Sequence, residues 1–224
     1  MEVKISDNER KFTQNAAGDI AAILKRGLTE KKTVSFFLAG GSTPEAVYNE
    51  LRTLSDIDWP RVLFFMGDER WSPDNARTTN IIMIENSLFS SGAVPKTNFF
   101  PVPQLFSALE SARAYEETIV KKLAGQSPYL TLLGLGPDGH TASLFPGREY
   151  PAVSLVIADK MSPTIPRSPR ISCNYSLLNR SEYVLFMVKG KGKEDVLRKA
   201  MEGSSELPAG KIKGLKSTIW HVLG

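Results

Sequence analysis

"LTLLGLGPDGHTASLFPG", Leu130 to Gly147, decides how the rest of the chain is read. An apolar run stops at Gly134, and Gly134, Gly136 and Gly139 then spell G-x-G-x-x-G, the pattern of a dinucleotide-binding turn between a strand and a helix. Asp159, about twenty residues beyond Gly139, stands where such a fold places its ribose-binding acid. Two features count against a dinucleotide. The turn of that fold opens a crossover helix, whereas Pro146 and Gly147 stop any helix here after little more than one turn. Asp138 would also set a negative charge among the backbone N–H groups meant for a pyrophosphate. What the stretch does offer is His140, on a glycine-bracketed turn at a strand's carboxyl end, followed by the small residues Thr141, Ala142 and Ser143. An imidazole in that position can accept and return a proton near neutral pH.

Outward from this stretch, strand-like and helix-like segments alternate along the chain. "VSFFLA", "VLFFMG", "YLTLLGLG", "VSLVIA" and "YVLFMV" are short runs of the kind buried on both faces of a mostly parallel sheet. Asn8 to Leu28 carries apolar residues at helical spacing (Phe12, Ala16, Ile20, Ile23, Leu24), with Gly27 near the expected end. Ser107 to Ala124 opens on a capping box, Ser107 with Glu110. The proline-rich run from Ser162 to Arg170 reads as a loop. With no repeat and no break in composition, residues 1–224 are expected to form one α/β domain: a Rossmann-like, mostly parallel sheet flanked by helices on both faces.

Composition narrows the function. The opening "MEVKISDNERKF" has no apolar leader segment, and no run approaches the ~18 apolar residues of a membrane span, so a soluble, unprocessed, cytoplasmic protein is expected. Cys173 is the only cysteine, which excludes an internal disulfide and suits a reducing compartment. The net charge of +4 comes from short basic clusters mixed with acids, a balance that suits a small anionic ligand better than nucleic acid. Without a cysteine cluster, an H-x-x-x-H or paired histidines, no metal site is expected. Ser143 lacks a G-x-S-x-G elbow, so it does not read as a nucleophile. The second histidine, His221, lies in the strand-like "STIWHVLG".

Two further stretches carry chemistry. "FFLAGGSTPEAVYNEL", Phe36 to Leu51, passes from a strand through Gly40 and Gly41 into a helix beginning near Ser42, with Pro44 in its first turn and Ser42 and Glu45 spaced as a capping box. It is either an anion cradle, built on free N–H groups and the positive end of a helix dipole, or an ordinary strand-to-helix turn. It lacks the lysine of a nucleoside triphosphate loop. "VLFFMGDERWSPDN" sets Asp68, Glu69 and Arg70 where a strand stops, either as working groups or as a solvated turn with a local ion pair. Trp71 beyond them is either a pocket wall or a cover over the core.

Taken in order, "LAGGSTPEAVY", "FFMGDERWSPDN", "LLGLGPDGHTASLFPG", "PRISCNYSLLNRS" and "MVKGKGKEDVLRKA" resemble the 6-phosphogluconolactonase family across most of the chain. Glucosamine-6-phosphate deaminase, of the same superfamily, shares the GG-x-TP loop and the D-G-H turn and is the runner-up. Its pattern, D-E-Y and then D-G-H-I-A-F-N-E-P, includes a glutamate for ring opening, whereas this chain has no acid between His140 and Gly147. The resemblance implies hydrolysis of 6-phospho-D-glucono-1,5-lactone to 6-phosphogluconate, in the oxidative pentose phosphate pathway and without cofactor or metal. By motif position, His140 is the implied base toward water. Asp68 orients sugar or water, Asp138 serves alongside it, and Arg70 stabilises the oxyanion or the product carboxylate, or acts as a salt-bridge partner. Gly40, Gly41, Ser42 and Thr43 hold the phosphate together with Arg170 and Lys193, and Arg167 and Lys191 are the competing neighbours of those two. The implied partner is a small sugar-phosphate lactone, with no nucleic acid and no membrane, and the implied state is a monomer or a weak homodimer.

Overall fold

The computed structural model describes residues 1–73, 80–159, 168–190 and 192–224; positions 74–79, 160–167 and 191 lie outside the described residues, and with them most of the expected proline-rich loop. Ten strands form among the described residues: β1 (Glu2–Ser6), β2 (Val34–Leu38), β3 (Val62–Met66), β4 (Asp68–Arg70), β5 (Phe99–Phe100), β6 (Leu130–Gly134), β7 (Val156–Asp159), β8 (Arg170–Cys173), β9 (Tyr183–Val188) and β10 (Ser217–Leu223). Seven of them make one sheet in the order β1-β10-β9-β6-β2-β3-β5, and every pairing in it is parallel. β2 and β9 are buried at every residue, so both faces of the sheet's centre are covered, as their unbroken apolar runs require. Matched register stacks aromatic rings across neighbours: Phe37 on Phe65 at 4.8 Å and Phe186 on Trp220 at 3.9 Å.

The helices are α1 (Glu9–Glu30), α2 (Ser42–Leu51), α3 (Asn80–Ile84, continued by a π-helical turn, Glu85–Phe89), α4 (Ala108–Leu123), α5 (Tyr175–Leu178) and α6 (Glu194–Met201). Asn8 caps α1 by accepting the Lys11 N–H at 2.9 Å, and Phe12, Ala16, Ile20 and Leu24 bury the expected stripe. Gly27 lies near the end of α1, as expected. It sits inside the last turn because the Tyr129 ring and Val34 leave no room for a side chain there. α4 starts as expected: Ser107 Oγ accepts the Glu110 N–H and donates to the Glu110 carboxylate, which takes the hydroxyl rather than the backbone donor of a standard capping box.

Two expectations are corrected. "VSLVIA" does not join the parallel sheet: β7 pairs antiparallel with β8, and β8 antiparallel with β4, in a separate three-stranded sheet. A parallel return needs a crossover element, and positions 135–155 contain no helix to provide one. Turns fill the segment after His140, with Ala142 in the left-handed region at φ 48°. The "DER" stretch does follow the end of an apolar strand, β3, as expected, but it is a strand of its own, β4, and not a solvated turn.

Chain order sets the functional end. From β2 the sheet grows through β3 to β5 on one side, and β6, β9 and β10 lie on the other. The carboxyl ends of β2 and β6 therefore flank the point where strand order reverses, the crevice in which open α/β sheets take ligands.

An exposed helical glycine replaced by alanine stabilises a helix by about 0.5–1 kcal/mol, but forcing a methyl into a packed core costs about 1–3 kcal/mol. At Gly27 the new Cβ would meet Tyr129 at 2.5 Å and Val34 at 2.7 Å, so the second effect wins. Gly27→Ala should lower the urea midpoint, whereas Gly18→Ala, with no atom within 4 Å, should hold or raise it.

Candidate active site

β2 delivers the first wall. Tyr48 donates its hydroxyl to the Ala39 carbonyl at 2.8 Å and fixes the strand end. Gly41 then turns at φ +92°, which only glycine adopts readily, and α2 begins at Ser42 with Gly41 as its side-chain-less cap. The expected Ser42–Glu45 capping box therefore does not form: Ser42 is already inside the first turn, so no side chain caps the helix N-terminus. Pro44 sits in that first turn as expected.

β3 and β4 deliver the second wall. Tyr115 bonds both polar groups of Met66 (2.6 and 2.8 Å), and the Gly67 N–H reaches the Leu38 carbonyl at 2.8 Å. Strand alternation in β4 then sends Asp68 and Arg70 to one face and Glu69 to the other. Arg170, 5% exposed on β8, is the register partner of Arg70. Burial lowers its guanidinium below the usual value; Asp68 opposes that shift and Arg70 adds to it.

The third wall is the stretch after β6. Gly139 at φ +86° makes the turn, the Gly136 N–H bonds the His140 carbonyl at 2.9 Å, and a Cβ on Gly136 would lie 2.1 Å from His140 Nδ1. Asp138 Oδ1 faces that same Nδ1 at 2.5 Å and accepts the His140 N–H at 3.1 Å. Although burial pushes the Asp138 carboxyl upward, the His140 N–H and ring bring it below the usual aspartate value, so it is a carboxylate at neutral pH. A carboxylate on Nδ1 selects the tautomer that leaves Nε2 as the free acceptor. Ser143 donates to Asp68 Oδ2 at 2.6 Å, and its own N–H meets Ser172 Oγ at 3.1 Å, which ties this loop to β4 and β8. Lys193, at the start of α6, donates to the Leu135 carbonyl at 2.8 Å, and burial lowers its pKa.

These walls enclose a cleft of about 330 Å³. Gly40, Gly41, Ser42, Thr43, Asp68, Arg70, His140, Arg170 and Lys193 all line it. Asp138 does not: it stands behind the imidazole rather than beside a ligand. Arg167 and Lys191 lie outside the described residues. His221 is remote, wholly buried on β10 and bonded to Asp19 at 2.9 Å. Trp71 does not line the cleft; it packs against the core and donates to the Leu105 carbonyl. Asp159, the would-be ribose acid, is paired with Arg148. No group of three metal-binding side chains occurs among the described residues, and no helix among them is long and apolar enough to cross a membrane.

Residues 7–220 match the family model described as glucosamine-6-phosphate isomerases/6-phosphogluconolactonase. The chain belongs to this family. It is 34% identical over 199 residues to a 6-phosphogluconolactonase of Thermotoga maritima, covering 89% of this chain and 88% of that protein. It is 29% identical over 213 residues to one of Rhizobium meliloti, covering 90% and 88%. The crystal structure of a Thermotoga maritima 6-phosphogluconolactonase superposes with a TM-score of 0.89 at 30% identity, covering 100% of this chain and 99% of that one.

At this cleft, two residues carried no recognisable signal in the sequence. Asn80 lines the cleft although it follows an aperiodic polar run. Glu69 looks like its solvated neighbours in "DER" but is 0% exposed, and it accepts the N–H groups of Arg70, Asn80 and Ile81 at 2.7–2.8 Å. Burial raises its carboxyl from 4.5 to about 7, even against those three donors. Between these values the folded protein holds a proton that the unfolded chain has released, so stability falls as pH rises across that window and is unaffected by this group below it. Denaturant titrations from pH 4.5 to 7 should show a decline of up to about 3 kcal/mol that Glu69→Gln lacks. Parallel slopes in the two proteins would contradict this.

Proposed function

We propose that this chain hydrolyses 6-phospho-D-glucono-1,5-lactone to 6-phosphogluconate, the activity named for the relatives cited above. The observation that carries this is a single imidazole, backed on Nδ1 by Asp138, set in a cleft with an uncapped helix N-terminus and three cationic side chains, Arg70, Arg170 and Lys193. The phosphate rests on the Gly40–Thr43 turn, where free N–H groups and the helix dipole favour an anion, and Arg170 and Lys193 complete its charge balance. Asp68, steadied by Ser143, accepts a sugar hydroxyl.

In the reaction, His140 Nε2 takes a proton from water as its oxygen attacks the lactone carbonyl carbon. The carbonyl oxygen becomes an oxyanion, which Arg70 stabilises. When the intermediate collapses, the bond from that carbon to the ring oxygen breaks and the imidazolium returns its proton there, leaving a free hydroxyl and a carboxylic acid, which releases its remaining proton to solvent and becomes the carboxylate. Asp138 holds the ring in one tautomer and stabilises the imidazolium.

Phe145 favours hydrolysis over deamination. It lines the cleft with its ring 5.1 Å from that of His140, at the position where the deaminase pattern carries its glutamate. Proton transfer for ring opening has no second acid there. We extend the proposal to a single-domain, cytoplasmic protein, a monomer or a weak homodimer; the buried Cys173, outside any disulfide, suits a reducing compartment.

A proton-release assay should show lactone loss well above the spontaneous rate, and His140→Ala should cost about 10²–10⁴-fold of the excess. Ammonia release from glucosamine 6-phosphate in place of lactone turnover would reverse the assignment. Wild-type rates in His140→Ala would remove the imidazole from the mechanism.

A further inference from the structure

Gly40 and Asn80 are distant in sequence yet share one volume. A Cβ on Gly40 would lie 2.0 Å from Asn80 Cγ, 2.1 Å from Nδ2 and 2.2 Å from Oδ1, so the carboxamide occupies the place of the missing side chain. Unlike Gly41, Gly40 has no positive φ, so its backbone would accept any residue; its need for glycine comes from Asn80. From the same position Asn80 Nδ2 donates to the Asp68 carbonyl at 3.2 Å. The asparagine is itself anchored: its N–H and that of Arg70 converge on Glu69 Oε1 at 2.8 and 2.7 Å, and the Ile81 N–H reaches Oε2 at 2.8 Å. It is 6% exposed, and what remains open faces the cleft.

We propose that Asn80 is a positioning residue for the substrate, a wedge that fixes the spacing between the Gly40–Thr43 turn and the strand bearing Asp68 and Arg70, with Glu69 as its anchor. This rests on the lactonase proposal for the cleft. A sugar phosphate is held at its phosphate by one element and at its hydroxyls by the other, so the spacing between them governs how well both ends engage at once. His140 sits on a third element and does not depend on the wedge. Loss of the wedge therefore appears in KM, and kcat is largely kept.

The test is a double-mutant cycle on lactone hydrolysis, with inorganic phosphate as a competitive inhibitor. Asn80→Ala should raise KM about tenfold, while kcat and the phosphate inhibition constant, which reads the turn alone, each stay within about threefold. Gly40→Ala should do at least as much alone. In the double variant the new methyl enters the vacated volume, so the two penalties should fail to multiply. Asn80→Asp keeps the volume but brings a negative charge to the turn, so it reads charge and not spacing; Asn80→Ser, which empties part of the volume and keeps a polar group, serves if Asn80→Ala does not fold. KM within about twofold of the parent in the folded Asn80 variants, or simple multiplication in the double variant, overturns the wedge. Absence of lactone turnover in the parent overturns the functional proposal instead, and calorimetric binding of 6-phosphogluconate, a two-ended sugar phosphate, to the parent and the Asn80 variants then still reads the wedge.

Discussion

Parallel pairing of β2 with β3 on one side and β6 on the other is the constraint from which the site follows. Parallel strands all end on the same side of the sheet, so the chain leaving β2 and the chain leaving β6 emerge next to each other. Because strand order reverses between them, the two connections diverge and a crevice stays open. The Gly40–Thr43 turn and the His140 loop occupy these two exits, which places an anion-attracting helix end beside an imidazole without any direct contact between the two segments being required.

The small antiparallel sheet converts the crevice into a site with charge. β4 turns Asp68 and Arg70 inward, β8 sets Arg170 opposite Arg70, and Ser143 and Ser172 tie the His140 loop to both strands. This arrangement opposes stability. Two guanidinium groups are brought together, one of them almost wholly buried, Glu69 is held in the interior, and Ala142 occupies a left-handed conformation that costs roughly 1–2 kcal/mol. The stacked aromatic core of the parallel sheet supplies the compensating stability. Strain and buried charge thus gather at the cleft, and the regular packing lies away from it.

How much was legible differs by element. The fully buried strands read correctly because continuous apolar runs have few other solutions, and α1 and α4 because their caps and periodicity agree. "VSLVIA" misled because its apolar run is the same whether its neighbour runs parallel or antiparallel; only the missing crossover helix distinguishes them. The Ser42–Glu45 box misled because a capping pattern reports spacing, while Gly41's dihedral angle moved the helix start by one position. In the cleft, motif order located His140, Asp68, Arg70 and the glycine turn, but nothing in "DER" separated inward Asp68 and Arg70 from buried Glu69 until β4 was seen to be a strand.

By itself the sequence determined the α/β class, the central strands, the glycines at the turns and the presence of one histidine at a strand's carboxyl end, since each depends on local periodicity or on backbone conformations open to few residue types. Tertiary structure alone decided that Asp138 backs His140 instead of lining the cleft, that Arg170 faces Arg70, and that Asn80 fills the space above Gly40. These are distances between residues far apart along the chain or pointing in directions set by packing, and no local pattern encodes them.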